Sequence, residues 1–267
     1  MQPKVLIPTG YGLNCENETA YAFTNVGGKA DKVHLSEVFA TPSILSDYQV
    51  LAMVGGFSFG DHIAAGKVLA NRYRYRLAEH LERFIAEGKL LMGICNGFQS
   101  MVQYGLLPGF DSRFDEQLVS LAPNDSGVFE DRWIMLAANV GSKCIFTENL
   151  QGLELPVRHG EGKLVVRDKE VLHRLWTQGQ VALQYVDPTT GRATMRYPLN
   201  PNGSVDSIAG ICDPSGRVFG LMPHPEAYNN PYNHPNWLLQ RQAQTLPAEG
   251  LGLQIFRNAV EYVKRNF

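Results

Sequence analysis

Two short stretches carry residue types that can do covalent chemistry together. One is Gly93-Ile-Cys-Asn-Gly97, a cysteine held between glycines; the other is Pro223-His-Pro-Glu226. A thiol becomes a working nucleophile when a base takes its proton and a third group orients that base. The prolines beside His224 bias the backbone towards extended geometry. In an extended chain residues i and i+2 face the same way, so Glu226 can reach the His224 imidazole, fix its tautomer and stabilise the imidazolium. Cys95, His224 and Glu226 therefore form a candidate nucleophile–base–acid set. His159, with Glu161 two residues on, is the competing base. It sits in a polar, glycine-spaced turn rather than directly after a buried strand, and ranks below His224. His34, His62, His80 and His173 read as surface or packing residues, and His234 lies in an irregular tail.

The elements around Cys95 sharpen this. Leu90–Ile94 is a short apolar run, expected as a buried strand, and a helical pattern continues over 96–104. A Gly-x-Cys-x-Gly pattern at a strand-to-helix switch is that of a nucleophile elbow with sulfur in place of oxygen. Gly93 and Gly97 omit β-carbons that would clash in so tight a turn. The thiol would sit at a helix N-terminus, which favours the thiolate. A buried structural cysteine is the plain alternative, and the two glycines weigh against it. Attack on a carbonyl also needs an oxyanion hole. Asn96, the residue after the nucleophile, offers one N–H. A second is expected from Gly55-Gly56-Phe57, at the carboxyl end of the strand Tyr48–Val54.

In chain order the sequence predicts a strand at Val5–Pro8, a helix over 16–26 stopped by Gly27-Gly28, and a strand at Lys32–Leu35. A loop around Pro42, the strand Tyr48–Val54 and a long amphipathic helix over 67–87 come after it. The order β-α-β-β-α-β-α argues for a parallel sheet with covering helices. Beyond Gly109 short β-like runs appear, notably 133–138 and 143–146, and the turn Arg158–Lys163 interrupts the run from Leu155 to Val166. A helix over 168–178, a strand at 181–186 and an ordered loop over 189–207 come next. Strands at 208–212 and 218–222 are joined by the hairpin signal Asp213-Pro-Ser-Gly-Arg217. Residues 228–247 look irregular, and a last helix spans about 248–265. No repeat or linker is visible, so one domain over 1–267 is expected.

The 267 residues are 44% hydrophobic and 19% charged, enough to bury a large core. A net charge of −2 leaves no electrostatic footprint for nucleic acid or an anionic membrane. No apolar run approaches bilayer length, and the start reads as a first strand rather than a signal peptide. Cys15, Cys95, Cys144 and Cys212 lie far apart with no CxxC spacing, against a zinc motif or a disulfide framework. No metal is expected in this chain, and the reducing cytoplasm is the expected compartment.

Gly93-Ile-Cys-Asn-Gly-Phe-Gln99 with Pro223-His-Pro-Glu226 resembles the triad-type class I glutamine amidotransferases. More narrowly, Gly55-Gly-Phe-Ser-Phe-Gly-Asp61, His159-Gly-Glu-Gly-Lys163 and Asn200-Pro-Asn-Gly-Ser204 resemble the glutaminase component of phosphoribosylformylglycinamidine synthases. The resemblance implies an α/β fold: an open three-layer, flavodoxin-like sandwich around a mostly parallel sheet. It implies that Cys95 attacks the glutamine amide and forms a γ-glutamyl thioester, with His224 and Glu226 as base and acid. Gly56 and Asn96 would be oxyanion donors, and Gly55, Phe57, Gln99 and the loop at His159 would shape the glutamine pocket. No cofactor is implied in this chain. ATP and Mg belong to a larger synthetase partner that converts formylglycinamide ribonucleotide to the amidine, often with a small bridging subunit. Extra length near 62–76 and 228–250 resembles the glutaminase portion of long single-chain synthases, and Ala227 stands where an arginine often comes after the motif. Two other readings share the triad: a glutaminase serving a different synthetase, and a non-catalytic regulatory subunit.

Overall fold

Short, wholly buried apolar runs alternate with amphipathic helices along the first hundred residues, which is the pattern of a sheet covered on both faces. The computed structural model describes all 267 residues. The strands are β1 (Lys4–Thr9), β2 (Lys29–His34), β3 (Val50–Met53), β4 (Leu90–Ile94), β5 (Val119–Ala122), β6 (Glu130–Ala138), β7 (Leu153–His159), β8 (Lys163–Val166), β9 (Val181–Tyr185), β10 (Ile208–Cys212) and β11 (Val218–Leu221). The helices are α1 (Glu16–Asn25), α2 (Leu35–Ala40), α3 (Lys67–Ala86), α4 (Asn96–Tyr104), α5 (Lys169–Thr177), α6 (Trp237–Gln242) and α7 (Leu253–Asn266).

Nine strands form one sheet in the order β2-β1-β3-β4-β11-β10-β9-β6-β7. The first five are mutually parallel. β10 and β6 run against them, and β9, antiparallel to both, and β7, antiparallel to β6, run with the five again. Seven of the nine strands thus point one way, and the sheet is mostly parallel in strand direction. β1 leads out to β2 through α1, while β3 leads the other way to β4 through α3. Right-handed crossovers therefore put α1 and α3 on opposite faces. α7 packs with α1, where Phe23 and Phe256 meet edge to face, and α4 packs with α3. The strand order reverses between β1 and β3, the crevice where open α/β sheets bind ligands.

The structure departs from several expectations. The run 143–146 is not a strand: Ile145–Thr147 is a single 3-10 turn. The run 155–166 is two strands of different sheets, since β8 pairs with β5 in a separate ribbon while β7 closes the main sheet. Leu35 does not end β2 but starts α2, whose cap is an imidazole: His34 Nδ1 accepts from the Ser36 N–H at 3.2 Å. The tail 228–247 is more regular than expected, with a 3-10 turn at Pro231–Asn233 and then α6.

Three close backbone approaches fix the segments above the carboxyl ends of the strands. A β-carbon on Gly97 would lie 1.9 Å from the Met53 carbonyl oxygen, so α4 starts in contact with the end of β3. A β-carbon on Gly56 would lie 2.6 Å from Gly12 O, where the loop after β1 crosses the loop after β3. One on Gly252 would lie 2.0 Å from Pro225 O, so the start of α7 backs the Pro223–Glu226 segment. The turn between β7 and β8 is held differently. The His159 ring is buried, with Nδ1 3.1 Å from Asn124 Oδ1 and Nε2 3.5 Å from Asn202 Nδ2, and Asn202 also donates to Tyr185 Oη at 3.0 Å. Burial, then the charge of His224, lowers the His159 pKa to about 4.

Gly97→Ala should cost about 1–3 kcal/mol in urea unfolding, because the added methyl meets backbone that cannot rotate away. Gly141→Ala, whose β-carbon would meet only the Asn139 side chain at 3.7 Å, should be close to neutral. His159 adds a pH signature. The unfolded imidazole takes a proton as pH falls through about 6.5 and the folded one only near 4, so the unfolded state binds more protons between those values. Stability from this group is complete above pH 6.5 and falls, by on the order of 3 kcal/mol, as pH drops to 4. Unfolding midpoints of wild type and His159→Gln across that range should show the shallower slope in the variant.

Candidate active site

Cys95 sits where β4 turns into α4, with φ 51° and ψ −107°, a conformation a non-glycine residue adopts only when its surroundings impose it. Its N–H donates to Leu221 O at 2.9 Å, tying the end of β4 to the end of β11, and its carbonyl accepts from Gln99 N–H. Gly93 makes room behind it: a β-carbon there would lie 2.3 Å from Met101 Sδ. The thiol is 5% exposed and donates to Arg158 O at 3.6 Å. As the first residue of α4, Asn96 has an N–H with no intrahelical acceptor. The Gly56 N–H likewise donates to no backbone acceptor, and Gly56 has φ +147°.

β11 delivers His224 beside this elbow. The His224 N–H donates to Pro156 O at 2.8 Å, which pins the segment to β7, and His224 Nδ1 lies 2.6 Å from Glu226 Oε1. Both side chains are buried, at 3% and 1% exposure. Burial pulls the His224 pKa down. The Glu226 carboxylate, then the sulfurs of Cys95 and Cys15, outweigh it and hold the imidazole well above its ordinary range. The extended geometry expected of the Pro-His-Pro-Glu stretch is not what forms: His224 has φ −105° and ψ 89°, and Pro225–Tyr228 is a 3-10 turn, so it is that turn that brings Glu226 round to the ring.

The expected pocket residues separate into liners and supports. Gly56, Phe57, Gln99 and the turn at His159 border one lobe of a cavity whose floor is Cys95. Phe57 is half exposed at the mouth and faces Phe129 at 6.3 Å between ring centroids. Gln99 borders the cavity while its amide is engaged: Nε2 donates to Glu161 O at 2.6 Å, and Oε1 accepts from Asn96 Nδ2. Gly55 lines neither lobe. It lies against the imidazole, where a β-carbon would be 2.9 Å from His224 Cε1, and its carbonyl accepts from Asn14 and Cys15 N–H groups. His159 touches the cavity through the turn it anchors, with its ring turned to Asn124 and Asn202. The region 62–66 contributes Ala65, whose N–H donates to Glu161 Oε2 at 3.1 Å.

Residues beyond the expected set also face this space. Asp61 and Glu161 bring two carboxylates to the lobe beside Gln99. Burial and then the Glu161 charge raise the Asp61 pKa, against the Asn96 amide bond at 2.9 Å. Arg158 and Phe129 line both lobes, and Cys15, Asn14, Glu18 and Asp131 line the second with His224. Asp61 and Glu161 each lie inside one of the sequence motifs, so their acidity is a readable signal. Nothing in the sequence places Cys15 or Phe129 here.

Comparison with known proteins gives the same assignment from the whole chain. Residues 2–263 match the model of the CobB/CobQ-like glutamine amidotransferase domain. A phosphoribosylformylglycinamidine synthase subunit PurQ of Dehalococcoides mccartyi is 45% identical over 98% of both chains, and one of Methanococcus maripaludis is 39% identical over 98% of both. These relatives are themselves subunits and each covers 98% of the chain. Among solved structures, that of PurLQS from Thermotoga maritima contains a chain with TM-score 0.71 and 29% identity, over 98% of this chain and 100% of that one. A glutamine amidotransferase of the same organism shares the fold at TM-score 0.56 and 15% identity. No helix is long and apolar enough to cross a membrane. A cysteine elbow facing a buried His–Glu pair, on a chain with these relatives, places the protein among the CobB/CobQ-like glutamine amidotransferases, in the PurQ branch that serves phosphoribosylformylglycinamidine synthase.

Proposed function

We propose that the whole chain works as one glutaminase unit, hydrolysing glutamine at Cys95 and passing the ammonia to a larger, ATP- and Mg-using synthetase of purine synthesis in the cytoplasm. A small bridging subunit completes the assembly. The observation that carries the reading is the His224–Glu226 pair, 2.6 Å apart and buried, beside the strained Cys95 elbow. Glutamine enters with its carboxamide over Cys95. The thiol gives up its hydrogen bond to Arg158 O and its proton passes to His224. The sulfur attacks the amide carbon, and the developing oxyanion is received by the N–H groups of Gly56 and Asn96. His224 then protonates the leaving nitrogen, the C–N bond breaks, and ammonia departs from a γ-glutamyl thioester. His224 next takes a proton from water, hydroxide adds to the thioester, and glutamate leaves as the thiol is restored.

The same geometry suggests how the amino-acid end is recognised. Asp61 and Glu161 are the carboxylates of the lobe beside Gln99, suited to an α-ammonium group, and Arg158 is the cation lining the same lobe, suited to the α-carboxylate. The Asn96 and Gln99 amides tie the three cavity-forming stretches together, so these charges have fixed positions.

A glutamine-analogue electrophile should label Cys95 stoichiometrically by peptide mass spectrometry. Cys95→Ala should abolish glutaminase in the complex while ammonia-dependent synthesis persists, and Glu226→Gln should lower kcat on the order of 10²-fold through loss of base orientation. Label on another cysteine, or full glutaminase in Cys95→Ala, would overturn the assignment. Glu161→Gln should raise KM for glutamine about tenfold or more with kcat little changed. An unchanged KM would remove Glu161 from substrate recognition.

A further inference from the structure

The mechanism leaves one buried thiol beside the reacting groups unused. Cys15, at the start of α1, is 7% exposed, and its sulfur reaches the space over Gly55 that the His224 ring also occupies. It does no capping: its side chain makes no bond to the first turn of α1. One sulfur of Cys15, one imidazole nitrogen of His224 and one carboxylate oxygen of Glu226 all lie within 4.8 Å of one another. The ring nitrogen on the carboxylate side is His224 Nδ1, 2.6 Å from Glu226 Oε1, the Cys15 thiol donates to Asn14 Oδ1 at 3.3 Å, and Glu226 Oε2 is buried without a hydrogen-bond partner. Thiolate, imidazole and carboxylate are the ligand set of zinc, at about 2.0–2.3 Å from the metal. In a tetrahedron those bond lengths set donors roughly 3.3–3.8 Å apart, so rotamer-scale shifts of about 1 Å would close this group around an ion.

We propose that Cys15, His224 and Glu226 form a latent zinc site, and that its occupation reversibly stops glutamine hydrolysis. The donors come from opposite ends of the chain and meet only in the fold, which is why no ligand spacing appears in the sequence. The site has an entrance: Cys15 and His224 line the second lobe, where the carboxylates of Glu18 and Asp131 outnumber the single guanidinium of Arg158. Metal binding and base catalysis exclude each other. For zinc to bind, the Cys15 S–H proton would leave to solvent and the His224 Nδ1 proton would leave or move to Nε2; sulfur and Nδ1 would then donate their lone pairs to the metal, and the protonated Nε2 would have none left for the Cys95 proton. Three protein donors leave a fourth position to water or glutamine-site groups. Cys95 is not required as a ligand, and Cys144 and Cys212, buried elsewhere, take no part.

Inhibition rests on His224 being the base of the proposed glutaminase; binding does not, and the two are read separately. Zinc binding is measured on the full chain by competition with a chromophoric chelator, and cobalt is used as a spectroscopic stand-in. The wild type and Cys95→Ala should each bind one equivalent and give a thiolate-to-cobalt charge-transfer band. Cys15→Ser, which keeps size and polarity but not the thiolate, should lose the band and weaken zinc binding at least tenfold. With the synthetase partner present, the zinc concentration that halves glutaminase activity should rise at least tenfold in Cys15→Ser. That comparison is made within each protein, so unequal basal rates do not enter, and a chelator should restore activity. Equal zinc affinity in wild type and Cys15→Ser would overturn the site. So would binding that disappears in Cys95→Ala, since the metal would then be held by the nucleophile.

Discussion

The fold around the site hangs on one steric constraint: the first turn of α4 is in backbone contact with the end of β3. Only a glycine fits where a β-carbon would lie 1.9 Å from the Met53 carbonyl, and this contact fixes how sharply the chain must turn between β4 and α4. Cys95 takes up that turn as a positive φ of 51°. A residue so held costs about 1–3 kcal/mol and persists only because its neighbours over-determine it. Here they do, through the Cys95 N–H bond to β11 and the packing of Met101 and Phe98 behind Gly93 and Gly220. The strain presents the thiol above the sheet and leaves the Asn96 N–H beside it.

Other parts of the site depend on the same contact. Because α4 starts against β3, the Asn96 side chain lies beneath the glycine turn, accepts from Ser58 N–H and donates to Asp61. Through Gln99 the tie extends to Glu161 O on the far turn. Three stretches distant in sequence thus share one buried amide network, and in such a network an unmade bond costs more than a made one contributes. The His224–Glu226 pair is a second, independent feature. A buried ion pair seldom adds net stability, because desolvation consumes the attraction. Its retention at 3% and 1% exposure, backed by Gly55 on one side and the start of α7 on the other, fits a chemical role better than a structural one.

What the sequence discloses divides along the range of the interactions involved. The elbow and the hairpin at Asp213–Arg217 are local consequences of glycine and turn geometry and are found as read, whereas the His224–Glu226 contact forms through a 3-10 turn at Pro225 rather than the extended chain expected. The β-α alternation reveals the parallel part of the sheet for the same reason. The misses are those where a partner far along the chain decides. α2 is capped by an imidazole rather than Ser, Thr, Asp or Asn, so it carries no start signal. β7 and β8 read as one run because both are apolar, and only their partners, β6 and β5, separate them. The motif at His159 points to the pocket, yet its ring is claimed by Asn124 and Asn202, neither of them local.

The two thiols near His224 show how little residue type alone decides. Cys15 and Cys95 are both buried, both stand at the first turn of a helix and both face the same imidazole. Their backbones differ. Cys15, at φ −102° and ψ 17°, enters α1 without a sharp turn, and burial raises its thiol pKa above the usual range. Cys95, at φ 51° and ψ −107°, takes up a sharp turn into α4, and in the proposed mechanism the Asn96 and Gly56 N–H groups are its oxyanion donors. A carbonyl placed over Cys95 therefore finds stabilisation for its oxygen, whereas one placed over Cys15 meets the Gly55 carbonyl oxygen, already accepting two N–H bonds, and no vacant donor pair. On the proposed mechanism, the oxyanion donors around Cys95 select the nucleophile more than proximity to the base does, since both sulfurs lie near His224.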